Sequence, residues 1–201
     1  MKIFSNRAPL ILASGSPRRR SYLEDLGVNF TVCPVSIDET PFSGEDGGEF
    51  VVRMAREKAA VAGENHCNSW IIAGDTVVCL DGRILGKPVD QEDAVSMLMS
   101  LSGREHTVRT GLCLMNAGKK LIRSCSVKTG VLFAGFDMST ARAYAGTGEW
   151  TDKAGAYGIQ GKGAFLVRAV KGSYTNVVGM PLHELVEMLI KNNVIEPRRL
   201  Y

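Results

Sequence analysis

Seven residues, Ser14-Gly-Ser-Pro-Arg-Arg-Arg20, join an apolar stretch to a helix-forming one, and their types suit an anion. Free N–H groups and the positive end of the helix dipole gather at a helix start, and hydroxyls and guanidinium forks add donors of the kind that bind phosphate. The same residues have a plainer use: Ser16 caps the helix, Pro17 presets its first turn and the arginines face water. Asp75 is the second candidate. It interrupts the apolar run from Trp70 to Leu80, and a buried carboxylate is costly unless it is paired, hydrogen-bonded or bound to a metal. It reads as a metal ligand or general base at a strand bend, or else as a turn aspartate capping its own backbone. Asp38-Glu39 opens an acidic loop after a strand, and two carboxylates from separate strand ends suit magnesium, which prefers hard oxygen ligands. Lys58, on the polar side of its helix, and Lys87, in Leu85-Gly-Lys-Pro88, could meet phosphates as point charges or serve as ordinary surface lysines.

Other chemistries lose their support. The run Gly82 to Lys87 is one residue too short for the Walker P-loop, and Pro88 stands where that loop needs Ser or Thr. His66, His106 and His183 are scattered without metal-box spacing, and no Gly-x-Ser-x-Gly elbow occurs. With 24 basic against 21 acidic side chains the formal charge is only +3, too balanced to expect nucleic-acid binding. The five cysteines form no Cys-x-x-Cys pair, and most sit in apolar strand-like runs, so a reduced, cytoplasmic protein is expected. Pro9 to Ala13 is too short for a signal peptide or a membrane span, so no membrane association is expected either.

The elements that must hold these residues follow from hydrophobic period and turn chemistry. Pro9 to Ala13 reads as a buried strand, followed by a Ser-Gly-Ser-Pro turn and a helix from Pro17 to about Gly27. A strand over about Phe30 to Ser36 leads into the polar loop Asp38 to Gly48, then a helix from Glu49 to Ala62. Trp70 to Leu80 is a strand turned at Asp81-Gly82 into Arg83 to Leu85, and Asp90 caps a helix running to Leu101. Two or three strands fill Val108 to Ala134, turned at Asn116 to Lys119, and a helix covers Ser139 to Ala145. Gly146 to Gly163 lacks periodicity and reads as a functional loop, ahead of a strand over Phe165 to Val170 and an amphipathic helix over Pro181 to Lys191. Strands and helices alternate early and strands run together later, so the fold class is α/β or mixed α+β: a twisted mixed sheet flanked by helices, with two lobes around a central cleft. No linker or repeat divides residues 1–201, which read as a single domain.

The ordered set Leu12-Ala-Ser-Gly-Ser-Pro-Arg-Arg19, Asp38-Glu39, Arg56-Glu-Lys58, Gly74-Asp-Thr76, Gly86-Lys-Pro88, Leu101-Ser-Gly103 and Asp152-Lys-Ala-Gly-Ala-Tyr-Gly-Ile-Gln-Gly161 resembles the Maf proteins, nucleotide pyrophosphatases first associated with inhibition of septum formation. The resemblance runs from the first strand to the last helix. It implies hydrolysis of a nucleoside triphosphate between its α- and β-phosphates, with a divalent metal, magnesium or manganese. It places Asp75 as proton acceptor and, with Glu39, at the metal, and it places Ser14, Arg19, Lys58 and Lys87 around the triphosphate. Arg18, Thr76 and Gln160 resemble the group acting on dTTP and UTP rather than on 7-methyl-GTP. A regulatory nucleotide-binding protein in cell-division arrest is the alternative, and a homodimer is a reasonable expectation from the resemblance.

Overall fold

The computed structural model describes residues 2–198, and its sheet is organised around the acid-interrupted strand β4 (Trp70–Leu80). Nine of its eleven residues are apolar or glycine, Asp75 and Thr76 being the other two, and every residue except Asp75, Thr76 and Cys79 is buried. Burial on both faces is what a near-continuous apolar run requires.

The chain enters through β1 (Phe4–Asn6), β2 (Leu10–Leu12), helix α1 (Pro17–Leu26) and β3 (Thr31–Val32), then passes through α2 (Gly47–Glu64) to β4. After β4 come β5 (Arg83–Leu85), α3 (Gln91–Leu101), β6 (Glu105–Asn116), β7 (Leu121–Phe133) and α4 (Met138–Ala145). Two tight 3-10 turns, Ala154–Ala156 and Gly161–Leu166, precede β8 (Val167–Lys171), α5 (Tyr174–Val178), α6 (Leu182–Lys191) and β9 (Ile195–Pro197). The strand order is β3-β2-β4-β6-β7-β8, with β5 also on β4. Strands β3, β2 and β4 run parallel and the others antiparallel, the mixed sheet expected.

One edge of β4 is interrupted. Parallel pairing with β2 covers Trp70 to Ile72 and antiparallel pairing with β5 covers Val78 to Leu80, so Ala73 to Val77 have a strand partner only in β6. Asp75 and Thr76 lie in that break. On either side stand separate cores. Leu10, Leu12, Trp70, Ile72, Leu112 and Leu114 pack beneath α1 and α6, with Ile71, Ala73 and Cys113 facing α2. Val78, Leu80, Val108 and Phe133 pack with α3 and α4 at the other end. Strands β4 and β6 belong to both cores, and the cleft lies between the lobes.

Alternation along β4 sends Asp75 towards α2 and Thr76 towards α1 and α5. Helix α2 approaches the sheet closely because Gly111, opposite Asp75, has no side chain; a Cβ there would collide with the Val51 carbonyl.

Three expectations shift. The strand over 30–36 shrinks to Thr31–Val32: Cys33 still donates to the Leu12 carbonyl at 2.9 Å, but Pro34 has no N–H to continue. Helix α2 starts at Gly47 rather than Glu49, because Asp46 caps it by accepting from the Gly48 N–H at 2.7 Å. The strand over Phe165 to Val170 begins two residues later, since Gly161–Leu166 coils to bury Leu166. The β1–β9 ladder and α5 were not anticipated.

Candidate active site

A cavity of about 950 Å³ opens at the break in β4, and nine residues singled out in the sequence line it, Ser14, Arg18, Arg19, Glu39, Lys58, Asp75, Thr76, Lys87 and Gln160, whereas Asp38 of the acidic pair does not. They come from the β2–α1 turn, two loops, α2, β4 and the glycine-rich segment, so no local pattern could have shown them together.

Asp75 faces an ammonium. Lys58 Nζ donates to Asp75 Oδ1 at 2.6 Å and lies 2.6 Å from Glu39 Oε1, so one cationic centre joins two carboxylates. Helical periodicity put Lys58 on a polar face, yet the residue is only 8% exposed. Its burial is tolerable because both partners neutralise it. Burial by itself raises the Glu39 pKa, but the hydrogen bond and charge of Lys58, with Lys87 and Arg19 beyond, outweigh it and hold that carboxyl below the usual glutamate range.

On the opposite face of β4, Arg19 is tied at three points. Its Nε donates to the Gly179 carbonyl at 2.8 Å, Nη1 to Ser14 Oγ at 3.1 Å and Nη2 to Thr76 Oγ1 at 3.1 Å. A guanidinium has five N–H donors, so two remain for a ligand. The order of donors behind it is determined. Thr110 gives its one hydroxyl proton to the Asn176 carbonyl at 3.0 Å, so in the 2.9 Å contact between the threonines Thr76 is the donor. Asn176 in turn donates to the Val108 carbonyl and to Thr129. Burial lowers the Arg19 pKa, with Asp75 opposing the shift; a guanidinium stays charged regardless.

Ser14 Oγ also accepts from the Ser16 N–H at 3.2 Å, and Ser16 Oγ caps the Arg19 N–H at 3.5 Å. The capping use of this turn is therefore present in its geometry, and Ser14 Oγ lies on the cavity wall. Lys87 is exposed at the cavity edge, where its loop is held by a 2.9 Å bond from the Gly155 N–H to the Gly86 carbonyl. Arg18, which lines the cavity, donates to Asp152 Oδ2 at 2.9 Å. Gln160 is exposed, and its side chain makes no hydrogen bond among the described residues.

Comparison with known proteins agrees with this constellation. The profile of the Maf-like protein family matches residues 9–192. The chain belongs to the Maf family. A dTTP/UTP pyrophosphatase of Desulfotalea psychrophila is 52% identical over 187 residues, 93% of this chain and 96% of that one. A protein of the same description from Myxococcus xanthus is 47% identical over 190 residues, 94% and 95% of the two chains. A HAM1 protein from Coxiella burnetii superposes with a TM-score of 0.54 at 18% identity, covering 92% of this chain and 99% of that one, and shares its fold.

Several residues of the Maf cleft escaped residue-level reading. Glu149, Asp152, Lys153 and Tyr157 line it too. Glu149 accepts from the Lys162 and Gly163 N–H groups at 3.1 and 3.2 Å, and Tyr144 Oη accepts from the Gly158 N–H at 3.2 Å. These bonds pin the loop that carries Gln160. Their sequence signals were the aperiodic, glycine-rich character of 146–163 and, for Asp152, Lys153 and Tyr157, the motif over 152–161 that carries the family resemblance. His106, which lacks metal-box spacing in the sequence, is buried, with Nε2 2.8 Å from the Tyr157 hydroxyl.

The donor set also bears on a metal. Two carboxylates that already converge on one ammonium nitrogen offer hard oxygens to a cation, and no third His, Cys, Asp or Glu joins them among the described residues. Two carboxylates with the remaining positions left to phosphate and water is the usual provision for magnesium, so the residues fit it.

Proposed function

We propose that this Maf protein hydrolyses dTTP and UTP between the α- and β-phosphates, releasing pyrophosphate and the nucleoside monophosphate. The single observation that carries the reading is the meeting of Asp75, Glu39 and Lys58 with Arg19 and Ser14 across one cavity. The dTTP/UTP pyrophosphatase description of relatives 52% and 47% identical along nearly their whole length supports the substrate pair.

Phosphoryl transfer depends chiefly on positioning and on neutralising charge. Arg19 presents its two remaining N–H groups, already oriented by three bonds, and Lys87 and Lys58 add point charges. Ser14 Oγ, an acceptor from both Arg19 and Ser16, keeps its own proton to donate to a phosphate oxygen. Asp75 accepts the proton of the attacking water. A carboxylate by itself is a weak base towards free water. When bound by Glu39 and Asp75, a magnesium or manganese ion supplies what is lacking, since it neutralises polyphosphate charge and lowers the pKa of water. Gln160 has an acceptor and two donors for the mixed edge of thymine or uracil, with Arg18 and Thr76 beside it.

No helix among the described residues is long and apolar enough to cross a membrane. A cytoplasmic site of action, supported by five free cysteines, and a homodimer complete the proposal within one domain. The deciding experiment measures pyrophosphate release by the purified protein from a panel of nucleoside triphosphates with magnesium, manganese or excess EDTA. Turnover of dTTP and UTP that needs the metal is expected. Nucleotide binding without pyrophosphate release would instead identify a sensor.

A further inference from the structure

Glu39 reaches the Lys58–Asp75 centre from a loop without regular structure, between β3 and α2. A carboxylate on such a loop keeps its place only if the loop itself is held, because ordering a free backbone costs conformational entropy. Part of the holding is internal. Asp38 Oδ1 accepts from both the N–H and the hydroxyl of Thr40 at 2.9 and 2.6 Å, and Glu45 Oε2 accepts from the Phe42 N–H at 3.0 Å.

The rest comes from one side chain on α2. Arg53 places its fork on Glu45, Nε to Oε1 and Nη2 to Oε2, both at 2.7 Å. Its Nη2 also donates to the carbonyl of Thr40, the residue next to Glu39, at 3.1 Å. Its guanidinium carbon lies 3.8 Å from the centre of the Phe42 ring, and Nη1 reaches back to Glu57 at 3.3 Å. Phe42 is 64% exposed, and the cation over its ring accounts for an apolar group left in water. Arg53 and Glu45 side chains are only 19% and 8% exposed, yet neither lines the cavity.

We infer that Arg53 is a positioning residue: by clamping Thr40, Phe42 and Glu45 it holds the Glu39 carboxylate beside Asp75 and sets how tightly this site takes a divalent cation. The inference rests on the reading of Glu39 and Asp75 as cation ligands. An arginine is needed because a lysine has neither the planar fork nor the flat face that stacks on Phe42.

The test is manganese binding without nucleotide, followed by calorimetry, in wild type and in Arg53→Ala, Arg53→Lys, Glu45→Gln and Glu39→Gln, each first shown folded by circular dichroism. The Kd for manganese should rise about 10- to 100-fold in Arg53→Ala, as when a group supporting a ligand is removed. Arg53→Lys and Glu45→Gln should show smaller rises in the same direction. At saturating manganese, turnover of the Arg53 variants should return towards wild type, whereas that of Glu39→Gln should not. Unchanged manganese affinity in the clamp variants with weakened affinity in Glu39→Gln overturns the role of Arg53 and leaves the site intact. Unchanged affinity in Glu39→Gln as well overturns the cation-site reading beneath it. If Arg53→Ala does not fold, Arg53→Lys and Glu45→Gln decide on the same terms.

Discussion

At the break in β4, Arg19, Thr76, Thr110 and Asn176 stand in one chain of hydrogen bonds anchored in strands and helices. Across the cleft, Arg18, Asp152 and Gln160 project from a helix start and a loop into water. The first region has its donors committed and oriented before any ligand arrives; the second leaves an amide unbonded and ties a half-exposed arginine to an exposed acid. Groups that act on a charge common to every nucleotide gain from being fixed in advance. Groups that read a variable base are more easily altered when carried on a loop.

The largest effect expected falls on the fixed side. Asp75→Asn keeps the shape of the side chain but removes the charge that faces Lys58 and that the proposed function makes the proton acceptor, so kcat should fall by at least ~10³, about 4 kcal/mol of barrier. Circular dichroism should remain that of wild type. Turnover within about threefold of wild type would remove Asp75 from the mechanism.

Arg19→Ala comes next. It removes two oriented donors and frees Ser14 Oγ and Thr76 Oγ1, and a loss of ~10² to 10³ in kcat is expected by analogy with deleting one transition-state donor. Kinetics unchanged from wild type would return Arg19 to the helix-capping surface reading and erase the contrast between the two regions.

How far these regions could be read from sequence follows the same division. The strand-turn-helix around Ser14 was legible because apolar period, capping and proline placement are local signals. Asp75 stood out because an acid in an apolar run has to be explained. The burial of Lys58 was not legible: periodicity gives a helix face, but whether two carboxylates wait opposite that face depends on chain far away in sequence. Asn176 was missed for a similar reason, since its partners Val108 and Thr129 are 68 and 47 residues distant and its five-residue helix is too short to show a period. The β1–β9 ladder joins Phe4 to Pro197, a pairing with no local trace at all.

A third prediction tests a buried polar anchor beneath the looser region. His106 lies against Phe133 and Tyr157, and burial pushes its pKa from 6.5 down to about 4. Below pH 6.5 the unfolded chain therefore takes a proton that the folded one refuses. Stability should be full above about pH 6.5 and fall as pH drops towards 4, by about 3 kcal/mol in total. Urea midpoints across that window should show the slope in wild type and flatten it in His106→Phe. An equal slope in both would mean that His106 titrates normally.

Base reading should be a smaller effect again. Gln160→Glu replaces an acceptor-and-donor group by one that only accepts when ionised, which suits the adjacent N–H donors of guanine and opposes a pyrimidine carbonyl. The ratio of kcat/KM for dTTP or UTP over 7-methyl-GTP should drop by about tenfold to a hundredfold, the worth of a 1 to 3 kcal/mol mismatch. An unchanged ratio would show that Gln160 does not read the base, while leaving Asp75 in place.

The smallest effect is expected at the Arg18–Asp152 pair, and it bears directly on the comparison. The pair spans the cleft mouth at 2.9 Å, with side chains 29% and 52% exposed. Burial raises the Asp152 pKa, but hydrogen bonds from Lys153 and Arg18 outweigh it and keep the carboxylate ionised. Geometry alone makes this look like a firm latch. Its exposure argues otherwise, because water screens both charges and holding two side chains in one conformation costs entropy, leaving about 0 to 1 kcal/mol for such pairs. A double-mutant cycle with Arg18→Ala and Asp152→Ala, read by urea unfolding, should give a coupling under ~1 kcal/mol. The coupling should shrink further as salt rises, since at about 0.1 M the screening length is already ~10 Å. A latch this weak would open readily and leave Arg18 free for the nucleotide contact proposed for it beside Gln160. A coupling above about 2 kcal/mol that resists salt would show instead that this end of the cleft is built as firmly as the break in β4, and that Arg18 is committed to Asp152 rather than to substrate.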